Sequence, residues 1–177
     1  MLGVVFSEFL EMVEKRFSLD MVDEILENSG IASGGSYTAV GNYDHRELLK
    51  LVEALSEKTG IAVGDLVAAY GRHLFGHFVD RYPSFFAGVD SSIDFLETIE
   101  NHIHVEVKKL YPEAELPTFE YRRQDDGSFV MVYRSRRPFA DLAQGLIEGC
   151  IEYYNDPYKV ERTVLEDGAV QFRLTGR

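Results

Sequence analysis

The sequence lacks tryptophan and contains one cysteine, Cys150, which is expected to fill space in the core. A single cysteine excludes an internal disulfide bond and a multi-cysteine zinc site. No apolar run approaches the roughly twenty residues of a membrane span. The first segment carries Glu8 and Glu11 where a signal peptide needs an apolar core. These absences predict a cytoplasmic protein that does not cross a membrane.

Basic residues are also scarce, because 18 Lys and Arg stand against 30 Asp and Glu and give a net charge of -12. Such a surface repels phosphate groups, so nucleic acid and anionic membranes are excluded as partners. A chain of 177 residues, of which 45% are hydrophobic, can bury one substantial core and is expected to form one domain. Its 12 Phe and 10 Tyr suit either a large core or a pocket for a flat ligand.

Apolar residues at helical spacing dominate the first two thirds of the chain. The predicted helices span residues 3–17, 18–30, 44–58, 63–82 and 91–111. Asp44 followed by Glu47 indicates a capping box, and Gly60 ends that helix. Ser92 is the expected N-cap of the last of these helices, which Pro112 terminates.

The period changes to two after residue 117, which predicts β-strands. One hairpin turns at Asp126-Gly127 and a second at Asp167-Gly168, with a helix over residues 139–156 between them. The predicted class is α+β: amino-terminal helices packed against a small antiparallel sheet that carries an additional helix.

Two of the five histidines, His102 and His104, are separated by Ile103 in the segment ENHIHVEVKKLYP. On an ideal helix each residue turns by about 100°, so the two lie at equal angles on opposite flanks of the apolar stripe. Helix geometry therefore does not separate them. A metal ligand, a catalytic base and a pair of half-exposed helix residues all remain open.

Other residues of the chain give weaker signals for chemistry. His73 and His77 lie four apart on one helix face and could supply two metal ligands, but the sequence offers no third ligand nearby. We therefore expect ordinary helix histidines. Cys150 lies inside a predicted helix without a neighbouring histidine, and the G-x-S-x-G pattern is absent, so nucleophilic catalysis is not supported.

The segment VYRSRR is rich in arginine within an acidic chain. If the strand continues to residue 137, Tyr133, Ser135 and Arg137 point to one face, since strand side chains alternate. Two hydroxyl groups and a guanidinium together suit a ligand that bears carboxylates. The alternative is an edge strand kept soluble by its charge.

Taken together, HVEVKKLYP, the proline of ELP thirteen residues after His104, and the Y-x-S-x-R of residues 133–137 resemble the heme nitric oxide/oxygen binding (H-NOX) domain. This is the family of the heme domain of soluble guanylate cyclase and of stand-alone bacterial gas sensors. The segments MLGVVFSEFLEMV, YGRHLFGHF, YPSFFAG and GLIEG extend the resemblance along the chain. It implies one domain over residues 1–177, with a distal helical part over about 1–60, a proximal part over 61–177, and heme buried between them.

The resemblance also implies site residues. His104 corresponds to the proximal ligand of the iron of heme b, and Pro117 to a proline that packs on the heme and distorts it. The residues that match the family's propionate-binding triplet are Tyr133, Ser135 and Arg137. The residues expected to line the distal side are Val5, Phe9, Leu74, Phe78 and Leu142.

Leu142 departs from the family members that hold oxygen, which have a tyrosine at its position. An apolar distal side gives bound oxygen no hydrogen bond, whereas NO and CO need little such support. The resemblance therefore implies a five-coordinate ferrous heme that binds NO and CO and does not bind oxygen stably.

The implied function is sensing and not catalysis. Binding of NO would weaken the bond between iron and His104 and relax the heme, and a separate partner would read the change. The expected partner is a sensor histidine kinase or a cyclic-di-GMP enzyme. The alternatives are a heme carrier without signalling and an enzyme that uses His104 as a general base on a small acid held by Arg137.

Overall fold

The computed structural model describes residues 1–176, and helices fill its first half. Within these residues, the α-helices are α1 (Gly3–Arg16), α2 (Leu19–Asn28), α3 (His45–Thr59), α4 (Val63–Arg81), α5 (Ser92–Glu97), α6 (His104–Leu110) and α7 (Ala140–Tyr154). A short 3-10 turn, Pro83–Phe85, follows α4, and a π-helical turn, Ile99–Ile103, links α5 to α6. In this part of the chain no helix is both long enough and apolar enough to span a bilayer.

Local signals explain where the first helices begin and end. The Ser18 hydroxyl accepts a hydrogen bond from the Met21 N–H at the start of α2, and the Asp44 carboxylate accepts one from the Arg46 N–H at the start of α3. Gly60, at a φ of 74°, ends α3 in the left-handed conformation that glycine adopts without strain. The helices predicted over these segments are confirmed within a few residues.

The predicted capping box at α3 is wrong in one of its two contacts, the one from the Glu47 side chain back to the N-cap residue. The Glu47 carboxylate does not return to the start of its own helix. It accepts hydrogen bonds from the Ser33 N–H at 3.1 Å, the Ser33 hydroxyl at 2.5 Å and the Tyr37 hydroxyl at 2.9 Å. Glu47 therefore holds the loop between α2 and α3 by three hydrogen bonds. The start of α3 does not need it, because Asp44 already caps that helix.

The helix predicted over residues 91–111 is not continuous, and its N-cap is Ser91 and not Ser92. The Ser91 hydroxyl accepts from the Asp94 N–H at 3.2 Å. Ser92 is fully buried and donates its N–H and its hydroxyl to one Asp156 oxygen, at 2.7 and 2.5 Å. After α5 the backbone widens, because the Ile103 N–H donates to the carbonyl five residues back, that of Thr98.

The strands form one antiparallel sheet within the described residues: β1 (Thr118–Arg123), β2 (Phe129–Arg134), β3 (Tyr158–Val164) and β4 (Val170–Gly176), in the order β1-β2-β4-β3. Phe119 of β1 is paired with Tyr133 of β2. Gly127 and Gly168, with φ of 80° and 81°, turn the two hairpins. Both predicted hairpins and the α+β class are confirmed.

The buried apolar side chains of residues 1–176 form two clusters that meet at α4. Leu74 belongs to the first cluster, with α1, α3 and the start of α7, whereas the next residue, Phe75, belongs to the second, with α5, α7 and the sheet. Helices α4 and α7 approach closely at glycine: a Cβ atom on Gly145 would lie 2.1 Å from the carbonyl oxygen of Ala68. The expected division of the chain near residue 60 stays a prediction.

Candidate functional site

His104 is the first residue of α6, directly after the π-helical turn. Its Nδ1 lies 2.9 Å from Oε1 of Glu100, and the same oxygen accepts the Phe119 N–H at 3.0 Å. An oxygen that already accepts from a backbone N–H also accepts from the ring, so Nδ1 carries the imidazole proton. The Nε2 atom is then left with a free lone pair, which is the form of histidine that binds metals.

The electrostatics of His104 favour the same neutral form. Burial of the side chain lowers the pKa of His104, and the charge of Glu100 and the hydrogen bond to it oppose that change. A neutral imidazole held by a carboxylate is a competent ligand for a transition metal, because its Nε2 carries no proton that would have to leave before the metal binds.

An open groove of about 520 Å³ runs beside His104. Its apolar lining comes from Val105 of α6 and from Leu116 and Pro117 of the loop before β1. Glu100, Lys108, Lys109 and Thr118 complete it. The structure therefore brings together His104 and Pro117, two residues that the sequence could relate only by resemblance.

His102, the other member of the pair, has a different environment. It is exposed, and its ring meets the edge of Phe85 at a centroid distance of 5.7 Å. The wide π-helical turn removes the symmetry that an ideal helix predicts for the two histidines. Of the two, His104 is the one that is partly buried, bonded to a carboxylate and beside the groove.

Aromatic contacts connect His104 to the sheet. The rings of His104 and Phe119 lie 6.2 Å apart, and those of Phe119 and Tyr133 lie 5.6 Å apart. Tyr133 is 6% exposed, and its burial raises the pKa of its hydroxyl. The route from α6 to β2 is thus a continuous set of ring contacts.

Strand β2 ends at Arg134, so the condition under which Tyr133, Ser135 and Arg137 would share a strand face, a strand that continues to residue 137, is not met. The chain turns at Ser135, whose hydroxyl accepts from the Arg137 N–H at 3.0 Å, and Pro138 follows. The turn and not strand alternation brings the three polar residues together: a hydrogen bond with Ser135 and the charge of Arg137 both act on the pKa of Tyr133, lowering it against the effect of burial.

Arg137 is mostly buried, with a side chain 16% exposed, yet its guanidinium donates at 2.7 Å to Glu115, whose side chain is 71% exposed. Glu115 belongs to the loop that carries Pro117 into the groove. The guanidinium therefore already binds a carboxylate, and that carboxylate is free to move into solvent.

The five residues expected on the distal side share the first buried cluster. Phe9, Leu74 and Leu142 are members of that cluster, and Val5 and Phe78 pack against it while partly buried. They come from α1, α4 and α7. All five side chains are hydrocarbon and offer no hydrogen-bond donor.

A further group of ionisable residues was not predicted. Glu8 of α1 is 8% exposed, and its Oε2 lies 3.0 Å from Nδ1 of His77 and 3.6 Å from Nε2 of His73. Within residues 1–176 the buried Nε2 of His73 has no hydrogen-bond partner. No group of three or more His, Cys, Asp or Glu side chains in the same range is arranged to hold a metal ion.

Sequence signals for the two unpredicted carboxylates exist. Glu8 falls on the helical stripe that includes Val5 and Met12, so a charge at that position has to be buried. Glu100 is one turn before His104, a spacing at which helical side chains meet.

Comparison with known proteins finds a match to the family described as Haem-NO-binding over residues 2–162. Among solved structures, the unliganded Fe(II) H-NOX protein from K. algicida is 39% identical, with a TM-score of 0.91 over 100% of this chain and 97% of that one. The H-NOX from Shewanella woodyi in the Fe(II)CO state, bound to IWP-051, is 40% identical, with a TM-score of 0.86 over 100% and 95% of the two chains.

Two animal cyclases are more distant relatives. Soluble guanylate cyclase gcy-35 of Caenorhabditis elegans is 22% identical over 141 residues, which are 77% of this chain and 20% of that protein. Soluble guanylate cyclase 89Db of Drosophila melanogaster is 29% identical over 129 residues, 68% of this chain and 18% of that protein. The chain thus spans about a fifth of the length of either cyclase.

Proposed function

This chain belongs to the Haem-NO-binding (H-NOX) family, and on that premise we propose that it senses NO, also binds CO, and does not hold oxygen stably. The H-NOX family is one of heme-binding gas sensors. The observation that carries the proposal is His104, whose Nδ1 is bonded to Glu100 and whose Nε2 is left as a ligand beside the groove.

The residues present fit a heme. His104 offers a neutral nitrogen donor, and Val105, Leu116 and Pro117 offer an apolar surface for a flat macrocycle. When bound, heme b supplies an iron atom that coordinates diatomic gases. We propose that His104 is its proximal ligand and that Pro117 packs on the ring and distorts it.

The propionate groups have a matching set of donors. Arg137 offers paired N–H groups, and hydroxyls come from Tyr133, near the end of β2, and from Ser135, at the turn that follows. The present partner of Arg137, Glu115, is largely in solvent, where an ion pair contributes little, so a bound carboxylate can replace it. The role of Arg137 is thus to hold a propionate without leaving its own charge unpaired.

Selection among gases follows from the distal residues. Bound oxygen is polarised and needs a hydrogen-bond donor, whereas NO and CO do not. Phe9, Leu74 and Leu142 are buried and lack donors, and Val5 and Phe78 extend the same apolar wall. We therefore assign the distal side to these five residues and expect discrimination against oxygen.

Signalling requires that the protein reach a partner. We propose that gas binding weakens the attachment of His104, that α6 shifts as the heme relaxes, and that the helical part over about residues 1–60 moves against the remainder. The chain is not itself an enzyme in this proposal. A separate sensor histidine kinase or cyclic-di-GMP enzyme in the cytoplasm of a bacterium would read the shift. The bacterial source is supported by 39–40% identity to the H-NOX proteins of K. algicida and Shewanella woodyi.

An absorption spectrum of the purified protein tests the proposal. The reduced protein should show a five-coordinate ferrous heme that changes on addition of CO and of NO and stays unchanged in air. A colourless protein that takes up no added hemin would overturn the heme assignment and favour the general-base enzyme. If the heme binds gas but the activity of a kinase or cyclic-di-GMP enzyme encoded beside this protein does not change, the alternative of a heme carrier without signalling would be favoured.

A further inference from the structure

We propose that Glu100 is a positioning residue that fixes the tautomer of His104 and couples this histidine to strand β1 through one shared carboxylate oxygen. The inference rests on the proposed function, since it concerns the residue that supports the heme ligand. It goes further by assigning a role to a residue outside the ligand and propionate sets.

The geometry is that of one acceptor with two donors. Oε1 of Glu100 receives the ring N–H of His104 at 2.9 Å and the backbone N–H of Phe119 at 3.0 Å. The side chains of Glu100 and His104 are 26% and 17% exposed, so water competes only weakly for these hydrogen bonds. An ordinary surface pair at this helical spacing contacts only its own helix, whereas Glu100 also accepts a hydrogen bond from the sheet.

The first consequence concerns the ligand atom. In water the proton of a neutral imidazole can occupy either nitrogen, but a carboxylate at Nδ1 keeps it there. The lone pair of Nε2 is then always available, and the negative charge of the partner makes the ring a stronger electron donor than an amide partner would. Glu100 therefore sets both the readiness of His104 to bind iron and the strength of that bond.

The second consequence concerns movement. Glu100 belongs to the π-helical turn, a wide turn held by the hydrogen bond from the Ile103 N–H to the Thr98 carbonyl. Strand β1 is at the edge of the sheet, so the Phe119 N–H that bonds Glu100 points away from β2. A displacement of His104 stretches or breaks a bond to the oxygen that also holds β1.

The ring contacts extend this coupling from β1 to β2. Phe119 packs between His104 and Tyr133, and it is paired across the sheet with Tyr133. A shift of Phe119 therefore reaches the turn that carries Ser135 and Arg137. Glu100 links the proximal ligand to the propionate-binding residues without a direct contact between them.

The first experiment uses the heme-free protein and nitrogen-15 NMR of the His104 ring in wild type, Glu100→Ala and Glu100→Gln. Wild type should show the Nδ1–H tautomer. Glu100→Ala should shift the population towards Nε2–H and speed amide exchange of Phe119 about tenfold, since both hydrogen bonds are lost. Glu100→Gln should largely restore the tautomer, because an amide oxygen also accepts hydrogen bonds.

The second experiment uses the reduced heme-loaded protein and resonance Raman measurement of the iron–histidine stretch. Glu100→Gln should lower this frequency, since the hydrogen bond is kept while the charge is lost. The matched control is Glu106→Gln, which alters a carboxylate of α6 that pairs with Lys109, and it should leave the frequency unchanged.

Failure of the inference and failure of the proposed function give different results. An unchanged tautomer and unchanged Phe119 exchange in Glu100→Ala would overturn the inference even if heme binds normally. Absence of heme uptake would overturn the proposed function, and the NMR comparison would still decide whether Glu100 positions His104. If Glu100→Ala does not fold, Glu100→Gln decides: a stretching frequency equal to that of wild type overturns the role of the charge.

Discussion

Glu8 of α1 and His77 of α4 lie 3.0 Å apart, carboxylate Oε2 to imidazole Nδ1, in a contact where Glu8 is 8% exposed. His73, one turn before His77, presents a buried nitrogen to the same oxygen at 3.6 Å. Each of these three residues immediately precedes one that we assign to the distal side. The ionisable contact between α1 and α4 is therefore adjacent in sequence to the proposed gas-binding wall.

This contact predicts a dependence of stability on pH. Burial lowers the pKa of His73, against the opposing charges of Glu8 and Glu11 and with the help of Lys15 and Arg16. Because the pKa in the folded state lies below that in the unfolded state, the unfolded state binds the proton more readily. Stability should fall as pH falls from about 6.5 towards the lowered value, by at most about 1.4 kcal/mol per pH unit for this one group.

Urea unfolding at pH 7.5 and pH 5.5 measures the effect. His73→Gln should lose less stability on acidification than wild type does, because its side chain no longer titrates. His102→Gln is the control, since His102 is exposed, and it should retain the wild-type pH dependence. Equal pH dependence in His73→Gln and wild type would contradict the prediction.

The close contact of α4 and α7 predicts opposite effects of alanine at two helical glycines. Gly145→Ala should destabilise the fold by about 1–3 kcal/mol, since the added methyl group would meet the Ala68 carbonyl oxygen at 2.1 Å. Gly76→Ala, also within a helix but with nothing within 4 Å of its Cβ, should be neutral or stabilise by up to about 1 kcal/mol. Thermal unfolding of both variants checks this, and a stable Gly145→Ala protein would be inconsistent with the packing.

The burial of Ser92 predicts that loss of the Asp156 side chain lowers the free energy of unfolding more than loss of the Ser91 N-cap does. Asp156→Ala should cost about 2–4 kcal/mol, because it leaves both the N–H and the hydroxyl of Ser92 buried without a partner. Ser91→Ala removes one exposed capping bond and should cost about 1 kcal/mol. Chemical denaturation ranks the two variants, and the reverse order would show that the Asp156 contact is dispensable.

Replacement of the proposed iron ligand should be reversible by a small molecule. His104→Gly should lose the spectrum of the five-coordinate ferrous heme, and added imidazole should restore it, because Glu100 still offers an acceptor for the imidazole N–H. His102→Gly should leave the spectrum intact, since that side chain is exposed and meets Phe85. Loss of the spectrum in His102→Gly with retention in His104→Gly would reverse the assignment.

Strong periodicity made much of the fold predictable. Helices α1 to α4 and both hairpins follow from apolar spacing, an Asp44 cap and the Asp-Gly turns. The π-helical turn could not be predicted, because Ile99 and Ile103 are four apart and fit an ordinary helix equally well. For the same reason helix geometry left His102 and His104 equivalent. In the sequence only the family resemblance separated them, and the three-dimensional structure adds the physical difference in their surroundings.

The triplet that we propose binds the propionates, Tyr133, Ser135 and Arg137, shows a different limit. Pro138, which follows Arg137, has no N–H to donate to a neighbouring strand, and the Ser135 hydroxyl accepts the Arg137 N–H at a turn. The same three residues are thus brought together by a turn and not by strand alternation. Glu8 and Glu100 were visible in the sequence by their helical spacing, but their partners across the fold were not.

Leu74 and Phe75 are consecutive residues of α4, yet their side chains enter different buried clusters. Helix α4 contributes side chains to both clusters, so neither cluster keeps its apolar contacts when α4 unfolds. The two clusters are therefore expected to unfold together. The described part of the chain should therefore melt in one calorimetric transition. A fragment that ends at residue 60 should remain a molten, dye-binding species, since its buried face would lack the Leu66, Tyr70 and Leu74 side chains of α4.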